Sequence, residues 1–300
     1  MRFNYDIKFI FIAFRLPFNK GILKLSHFPM KVMLKFNLKP KGLKKKIIKI
    51  NGYNNDPISL IELTPKKISS NGCILYLHGG GLGYGIAPYQ YKYACKYAID
   101  LGLKVYMLDY HLLPKYKFPY QVNDSINSIK YLNDNAEKLN VDKNKIIVLG
   151  ESAGGYLASI ICDSYQKYNY LKPLGQVLNY PVISDDLDSS SKRKFIDTPL
   201  WNTKNNTSMW KLYQCHDDSY IPLKMNLPDE LPSTYIELCE FDCLHDEEME
   251  YYNKIKDLTP NIELNDTIGT FHGYDMMKSH PTSKDSYQKR VNFMKKLLTE

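Results

Sequence analysis

The 300-residue sequence has no long hydrophobic run near its amino terminus. The apolar stretch there, Phe9 to Phe14, is bounded by Lys8 and Arg15 after six residues, whereas a membrane-spanning helix needs about 20. Asp6 and the absence of a small-residue cleavage site also argue against a secretory signal peptide. We therefore expect a short amphipathic helix that packs on the protein body, with an apolar face made of Phe3, Ile7, Ile10 and Phe14.

Cysteines are few and scattered. Of the six, Cys239 and Cys243 are close together, but no second Cys/His pair stands at a spacing that would complete a zinc site. Cys73, Cys162 and Cys239 fall in strand-like or helical apolar runs, as reduced core thiols do. The sequence therefore predicts no metal site, and it fits a reducing, cytoplasmic location best.

Acidic residues are almost missing from the first 50 positions. This segment has 13 Lys/Arg and one acid, Asp6, whereas the remaining 250 residues have 27 basic and 31 acidic residues. The main body is mildly acidic, and nothing in it suggests nucleic-acid binding. The basic arm has two interpretations: a weak contact with an anionic membrane surface, or solvated lysines around an N-terminal helical segment.

Short apolar runs alternate with helical patterns along most of the chain. This alternation predicts an α/β fold with a mainly parallel sheet covered by helices on both faces. An antiparallel pair is expected first, at Lys45–Ile50 and Ile58–Leu63. The remaining predicted strands are Cys73–Leu77, Lys104–Leu108, Lys145–Leu149, Gly175–Asn179, Ser233–Cys239 and Ile262–Thr267.

One interval interrupts the alternation. Residues 184–230 are polar, yet they contain both tryptophans, Trp201 and Trp210. An insertion that carries isolated large aromatics suits a lid over a pocket, and a plain surface excursion is the alternative. We expect residues 46–183 and 231–300 to form the core, 184–230 a cap insertion, and the basic residues 1–45 a further part of the cap.

A glycine-rich stretch, Gly150 to Gly155, follows the predicted strand Lys145–Leu149 and precedes a helical pattern. The chain must turn from strand to helix within a few residues, with Ser152 at the corner and glycines two residues to either side. This is the pattern of a nucleophile elbow, which presents a serine hydroxyl above a sheet. A glycine-rich turn capped by a serine is the alternative for this motif taken alone.

A second glycine run, His78-Gly79-Gly80-Gly81, follows the predicted strand Cys73–Leu77. Successive glycines leave backbone N–H groups facing open space, where they can bind a developing oxyanion. A phosphate-binding loop is the competing interpretation, but the Lys-Ser/Thr of a P-loop is absent. We interpret His78 as a structural residue that holds the loop.

An acid and a histidine follow two later strands. Asp242 comes just after Ser233–Cys239, with Glu240 and Asp246 as alternates, and His272 follows Ile262–Thr267. Carboxyl ends of parallel strands meet at one edge of a sheet, so these groups should lie near Ser152. The order Ser, Asp, His along the chain is the one expected of α/β-hydrolases.

Taken together, these segments resemble the hormone-sensitive-lipase-like family of α/β-hydrolase esterases, from about residue 70 to the carboxyl terminus. The matching motifs are His78–Gly81 with Gly85, Asp109–Pro114 with Phe118-Pro119, Gly150–Gly155, Leu231-Pro232, Glu240–Glu247 and Phe271–Gly273. The resemblance implies an α/β-hydrolase fold with a helical cap, and a triad of nucleophile Ser152, base His272 and orienting acid Asp242. It also implies oxyanion donors, namely the N–H groups of Gly80, Gly81 and Ala153.

Three positions depart from the usual family pattern. His111 replaces an arginine, Lys115 replaces an acid, and Glu151 replaces the commoner aspartate. None of them belongs to the triad. From their positions, Tyr84, Tyr180, Trp201 and Trp210 are candidates for the pocket wall.

The reaction predicted from these residues is hydrolysis of short to medium acyl carboxylic esters through an acyl-enzyme, which needs no cofactor and takes a small-molecule ester as its partner. A formamidase or peptidase could use the same triad. A catalytically silent relative that binds a small ligand, and a lipase that works at a membrane surface through the basic arm, are further alternatives. The sequence leaves the oligomeric state open.

Overall fold

The structure, a computed structural model, describes residues 17–36 and 42–299. Within them, eight strands form one sheet in the order β1-β2-β4-β3-β5-β6-β7-β8. The strands are β1 (Leu43–Asn51), β2 (Pro57–Pro65), β3 (Cys73–Leu77), β4 (Lys104–Asp109), β5 (Ile146–Glu151), β6 (Gly175–Asn179), β7 (Ser233–Cys239) and β8 (Ile262–Thr267).

The sheet is mainly parallel. Strand β2 runs antiparallel to both of its neighbours, β1 and β4, and the pairings from β4 through to β8 are all parallel. Strands β3 and β5 are buried along their whole length, which explains why they appear in the sequence as nearly continuous apolar runs. The predicted α/β class is confirmed.

Helices cover both faces of the sheet. The helices are α1 (Lys20–Phe36), α2 (Pro88–Leu101), α3 (Tyr120–Asp134), α4 (Ala153–Asp163), α5 (Tyr165–Tyr168), α6 (Ser190–Lys194), α7 (Thr203–Tyr213), α8 (His245–Ile255) and α9 (Pro281–Thr299). Helices α2 and α9 pack on one face of the sheet, whereas α3, α4 and α8 pack on the other.

Several boundaries differ from the sequence prediction, most of them by one or two residues. The helical pattern that begins at Tyr120 continues to Leu139 in the sequence, but helix α3 ends at Asp134, because Asn133, Asp134 and Asn135 favour a turn over a continued helix. Strand β1 begins at Leu43, so the sheet extends into the segment that we had assigned to the cap. The apolar helical face predicted at Phe3 to Phe14 lies outside the described residues.

Residues from the two predicted cap segments, 1–45 and 184–230, contact each other above the carboxyl edge of the sheet. The backbone N–H of Phe18 donates to the Asn205 side chain on α7 at 3.2 Å, and the Phe18 ring packs on that of Trp201 with 5.5 Å between centroids. In the part of the chain that the structure describes, no helix combines the length and hydropathy of a membrane span. The division into core and cap remains a prediction.

The start of the 184–230 segment is anchored to α8. The Glu247 carboxylate accepts hydrogen bonds from the backbone N–H groups of Ile183 and Ser184, at 2.8 and 3.1 Å, and it forms a buried ion pair with Lys192 of α6. Since α8 begins three residues after Asp242, this anchor connects the insertion to the strand end that carries the acid.

Candidate active site

Ser152 occupies the corner between β5 and α4. Its backbone has φ 54° and ψ −122°, a strained combination for a residue with a side chain. The flanking glycines make this turn possible: a Cβ at Gly150 would lie 2.1 Å from the Gly154 carbonyl oxygen, and one at Gly154 would lie 2.1 Å from the Leu77 carbonyl oxygen. The Ser152 N–H donates to the Asn179 carbonyl at 2.9 Å, which fixes the corner to β6.

His272 lies between the serine and the acid. Its Nε2 is 2.8 Å from Ser152 Oγ, and its Nδ1 is 2.5 Å from Asp242 Oδ2. An ionised carboxylate can only accept a hydrogen bond, so Nδ1–H donates to Asp242, and Nε2 accepts a hydrogen bond from the Ser152 hydroxyl. All three side chains are buried, and the structure thus brings the predicted residues into one hydrogen-bonded line.

The loops that carry Asp242 and His272 are bonded to each other. Phe241 N–H donates to the Thr270 carbonyl at 2.9 Å, and Gly269 N–H donates to the Glu240 carboxylate at 2.6 Å. The other alternate acid, Asp246, accepts from the N–H of Ser191 at 2.7 Å. Of the three carboxylates considered from the sequence, Asp242 is therefore the one that contacts His272.

The glycine run after β3 curves over the same edge. Gly80 and Gly81 have φ of 116° and 60°, and a Cβ at Gly81 would lie 2.6 Å from the Trp201 ring. Their N–H groups donate to no acceptor among residues 17–36 and 42–299. Ala153 is the first residue of α4, so its N–H has no partner within the helix either. Of these residues, Gly80 lines the same cavity as Ser152, and Ala153 follows Ser152 in the chain.

His78 supports this loop from behind. Its ring stacks on Tyr110 with 4.2 Å between centroids, and its Nδ1 is 2.8 Å from the Gly79 carbonyl oxygen. Burial lowers the pKa of His78 to about 4, so the imidazole is neutral at physiological pH. These contacts agree with the structural role expected for this histidine.

A cavity of about 290 Å³ opens above Ser152 and His272. Three of the four predicted wall residues, Tyr84, Tyr180 and Trp201, line it. The fourth, Trp210, requires a correction, because it points from α7 into the core and packs on Tyr156, with 5.7 Å between centroids. Residues not singled out from the sequence complete the wall, among them Phe18, Met30, Gln90, Leu200, Asn205 and Met276.

The ring and the hydroxyl of Tyr180 each have a buried partner. Its ring meets the His272 ring edge-on, with 4.9 Å between centroids, and its hydroxyl donates to Asp275 Oδ1 at 2.6 Å. Asp275 is in turn paired with Arg290 of α9 at 2.8 Å, and Arg290 also pairs with Glu237 of β7. Nothing in the sequence motifs pointed to this buried charge cluster.

Glu151 directly precedes the nucleophile, and its side chain is buried. Burial raises the pKa of its carboxyl well above the usual value, and the nearby Asp275 adds to the rise. Gln90, which lines the cavity, donates to Glu151 at 3.2 Å. As for metals, residues 17–36 and 42–299 contain no group of three His, Cys, Asp or Glu side chains arranged to hold an ion.

A serine on a strand-to-helix corner, bonded to a histidine and an acid from later strand ends, is the arrangement of α/β-hydrolases. A family model described as alpha/beta hydrolase fold matches residues 74–276, about two thirds of the chain. The chain belongs to this family, and its expected membership of the hormone-sensitive-lipase-like branch is confirmed.

Several characterised proteins are similar over most of their length. The arylesterase of Saccharolobus solfataricus is 29% identical over 238 residues, covering 75% of this chain and 76% of the relative. The ethyl acetate hydrolase of Pseudomonas putida is 26% identical over 216 residues, covering 70% of this chain and 68% of the relative. The solved structure of a bacterial heroin esterase superposes with a TM-score of 0.85 at 27% identity, covering 94% of both chains.

Proposed function

We propose that this protein is a serine-dependent carboxylic-ester hydrolase that acts on short to medium acyl esters of small molecules. One observation carries the proposal. Hydrogen bonds connect Ser152 to His272 and His272 to Asp242, and Ser152 and His272 line a largely apolar cavity. The similarity to an arylesterase and an ethyl acetate hydrolase supports the same reaction type.

In the proposed acylation step, His272 Nε2 takes the hydroxyl proton of Ser152 while Oγ attacks the ester carbonyl carbon. Asp242 accepts from Nδ1–H throughout, which holds the imidazole in the required tautomer and stabilises the imidazolium that forms. His272 then gives the proton to the leaving alcohol oxygen, the C–O bond breaks, and the acyl group remains on Ser152.

The tetrahedral intermediate carries a negative charge on the former carbonyl oxygen. We propose that the N–H groups of Gly80, Gly81 and Ala153 bind this oxyanion. The three amides are fixed by the glycine loop and by the start of α4, so they need little reorganisation as the charge develops. A water molecule then attacks the acyl carbonyl carbon while His272 Nε2 takes its proton. The bond between the acyl carbon and Ser152 Oγ breaks, His272 returns the proton to Oγ, and the carboxylic acid leaves.

The size of the cavity supports short to medium acyl groups. At about 290 Å³ it lies near the lower limit of ordinary ligand pockets. Phe18 and Trp201 close it from above, and Tyr84 and Tyr180 form parts of its wall. We propose that residues 1–45 and 184–230 together act as the cap that sets this size.

We also propose a reducing, cytoplasmic environment for the protein. All six cysteines are buried and unpaired, as expected where thiols stay reduced.

The test is hydrolysis of p-nitrophenyl esters from acetate to palmitate by the wild type and by Ser152→Ala. We expect the highest kcat/KM on the short chains, and a fall of at least about 10³-fold in kcat for Ser152→Ala. Ser159→Ala is the matched control, because Ser159 is a buried serine of the same helix whose hydroxyl donates to the Tyr156 carbonyl, away from the cavity. Equal activity of Ser152→Ala and the wild type would disprove the assignment of the nucleophile.

A further inference from the structure

Helix α1 has two apolar faces, and only one of them packs against the rest of the protein. At 100° per residue, Leu23, His27, Met30 and Leu34 share a face, and this face points inward: Leu23 is buried, His27 Nε2 is 2.7 Å from the Gly83 carbonyl oxygen, and Met30 lines the cavity.

The opposite face is also apolar but lies in solvent. Leu25, Phe28 and Met33 are 78%, 77% and 48% exposed, and Pro29 and Val32 fall between them on the helix surface. Helices that are apolar nearly all round are normally covered on both sides. Contiguous exposed apolar surface of this kind marks a site of interaction with a protein or a membrane.

The charges on α1 itself are all positive. Lys20, Lys24 and Lys31 fall within one narrow stripe of α1 beside the exposed apolar face. Between Asp6 and Asp56 the sequence contains twelve Lys/Arg and no acidic residue. A helix with an exposed apolar face bordered by lysines is the signature of a helix that lies in a membrane interface.

We propose that the outer face of α1, formed by Leu25, Phe28, Pro29, Val32 and Met33, docks on an anionic lipid surface. The apolar side chains enter the boundary between headgroups and acyl chains, and the neighbouring lysines lie among the lipid phosphates. A second copy of the chain is the weaker alternative, because it would bring two lysine stripes of equal charge together.

Docking in this orientation has a consequence for substrate access. Met30 on the inner face of α1 and Phe18 just before the helix both line the cavity above Ser152. The helix that contacts lipid thus contributes Met30 to the cavity wall. Ester substrates dissolved in a membrane would enter the cavity beside this helix. This consequence rests on the proposed esterase function, whereas the docking itself does not.

The experiment is co-sedimentation of the full chain with vesicles of phosphatidylcholine alone and of phosphatidylcholine mixed equally with phosphatidylglycerol. We expect binding to the anionic vesicles only, weakening as salt rises. Phe28→Ser should lower the partition coefficient about tenfold, and Lys24→Glu should lower it at least fivefold. Ile68→Ser is the matched control, because Ile68 is 52% exposed in the loop between β2 and β3 and should leave binding unchanged.

Several outcomes would overturn the proposal. These are equal binding to both kinds of vesicle, no binding to either, or an equal loss in Phe28→Ser and Ile68→Ser. Analytical ultracentrifugation without lipid provides a further check: a dimer that Phe28→Ser converts to monomer would show that a second copy covers the face. Hydrolysis of p-nitrophenyl acetate in solution should be unchanged in all three variants, which keeps a failure of docking distinct from a failure of the esterase proposal.

Discussion

Replacing Tyr180 by phenylalanine removes one hydroxyl and keeps the ring that lines the cavity. In the native structure this hydroxyl donates to Asp275 at 2.6 Å, while the ring edge contacts His272. A hydrogen bond to a charged group contributes about 1.5–3 kcal/mol, and Asp275 is fully buried, so no solvent replaces the lost donor. We expect Tyr180→Phe to lower the free energy of unfolding by about this amount, which corresponds to roughly 2–5 °C in Tm for a chain of 300 residues.

The same change tests whether Tyr180 positions the imidazole. Without its anchor, the ring is free to shift against His272, and misplacement of a catalytic group by about 1 Å can cost 10²-fold in rate. We expect kcat for p-nitrophenyl acetate to fall about tenfold, with KM little changed because the cavity wall keeps its shape. The readouts are steady-state kinetics and thermal unfolding followed by circular dichroism.

A matched control separates positioning from stability. The Tyr251 hydroxyl is 2.9 Å from both carboxylate oxygens of buried Asp163, to which it donates, and neither residue lines the cavity. Tyr251→Phe should therefore lower Tm by a comparable amount and leave kcat unchanged. If both variants keep the wild-type kcat, or if Tyr180→Phe changes only KM, then Tyr180 acts as a wall residue and the positioning argument is wrong.

Three further changes give distinct results. Burial raises the pKa of Asp163 from 3.8 to about 7, so its protonated form is favoured by folding and wild-type stability should fall by about 4 kcal/mol as pH rises from about 4 to above 7. Asp163→Asn should remove that slope in urea unfolding measured at about pH 5 and about pH 8, and an unchanged slope would show that another group is responsible. Gly154→Ala places a Cβ 2.1 Å from the Leu77 carbonyl oxygen, so we expect loss of esterase activity, and a fully active variant would contradict the tight elbow. Trp201→Ala enlarges the cavity and should raise the kcat/KM ratio of octanoate over acetate roughly tenfold, whereas an unchanged ratio would remove Trp201 from the acyl wall.

The reacting residues could be located from the sequence because local patterns determine them. The elbow around Ser152 is a strand, a glycine-flanked corner and a helix, which together span residues 146–163. Asp242 and His272 follow strands of a parallel sheet, and the carboxyl ends of such strands share an edge whatever the lengths of the connections. No knowledge of side-chain packing is needed for that inference.

The cavity wall was less predictable because it depends on how separate segments dock. Trp201 and Trp210 lie nine positions apart, yet one faces His272 and the other faces Tyr156. Trp201 lies in the loop before α7 and Trp210 lies on the helix, so the two side chains depend on how the loop and the helix each dock on the body. The cluster of Glu237, Asp275 and Arg290 depends in the same way on the docking of α9. Its members lie on a strand, a turn and a helix that no sequence pattern connects.

Because the cysteines are buried, their reaction with an alkylating reagent would report on local opening of the fold. All six thiols are inaccessible in the native state, and burial raises the pKa of Cys95 and Cys215 to about 11, which keeps them as unreactive thiols. They are distributed over β3, α2, α4, β7 and two loops. Alkylation of each thiol in native buffer, resolved by peptide mass spectrometry, would therefore give the opening rate of each region without an introduced label.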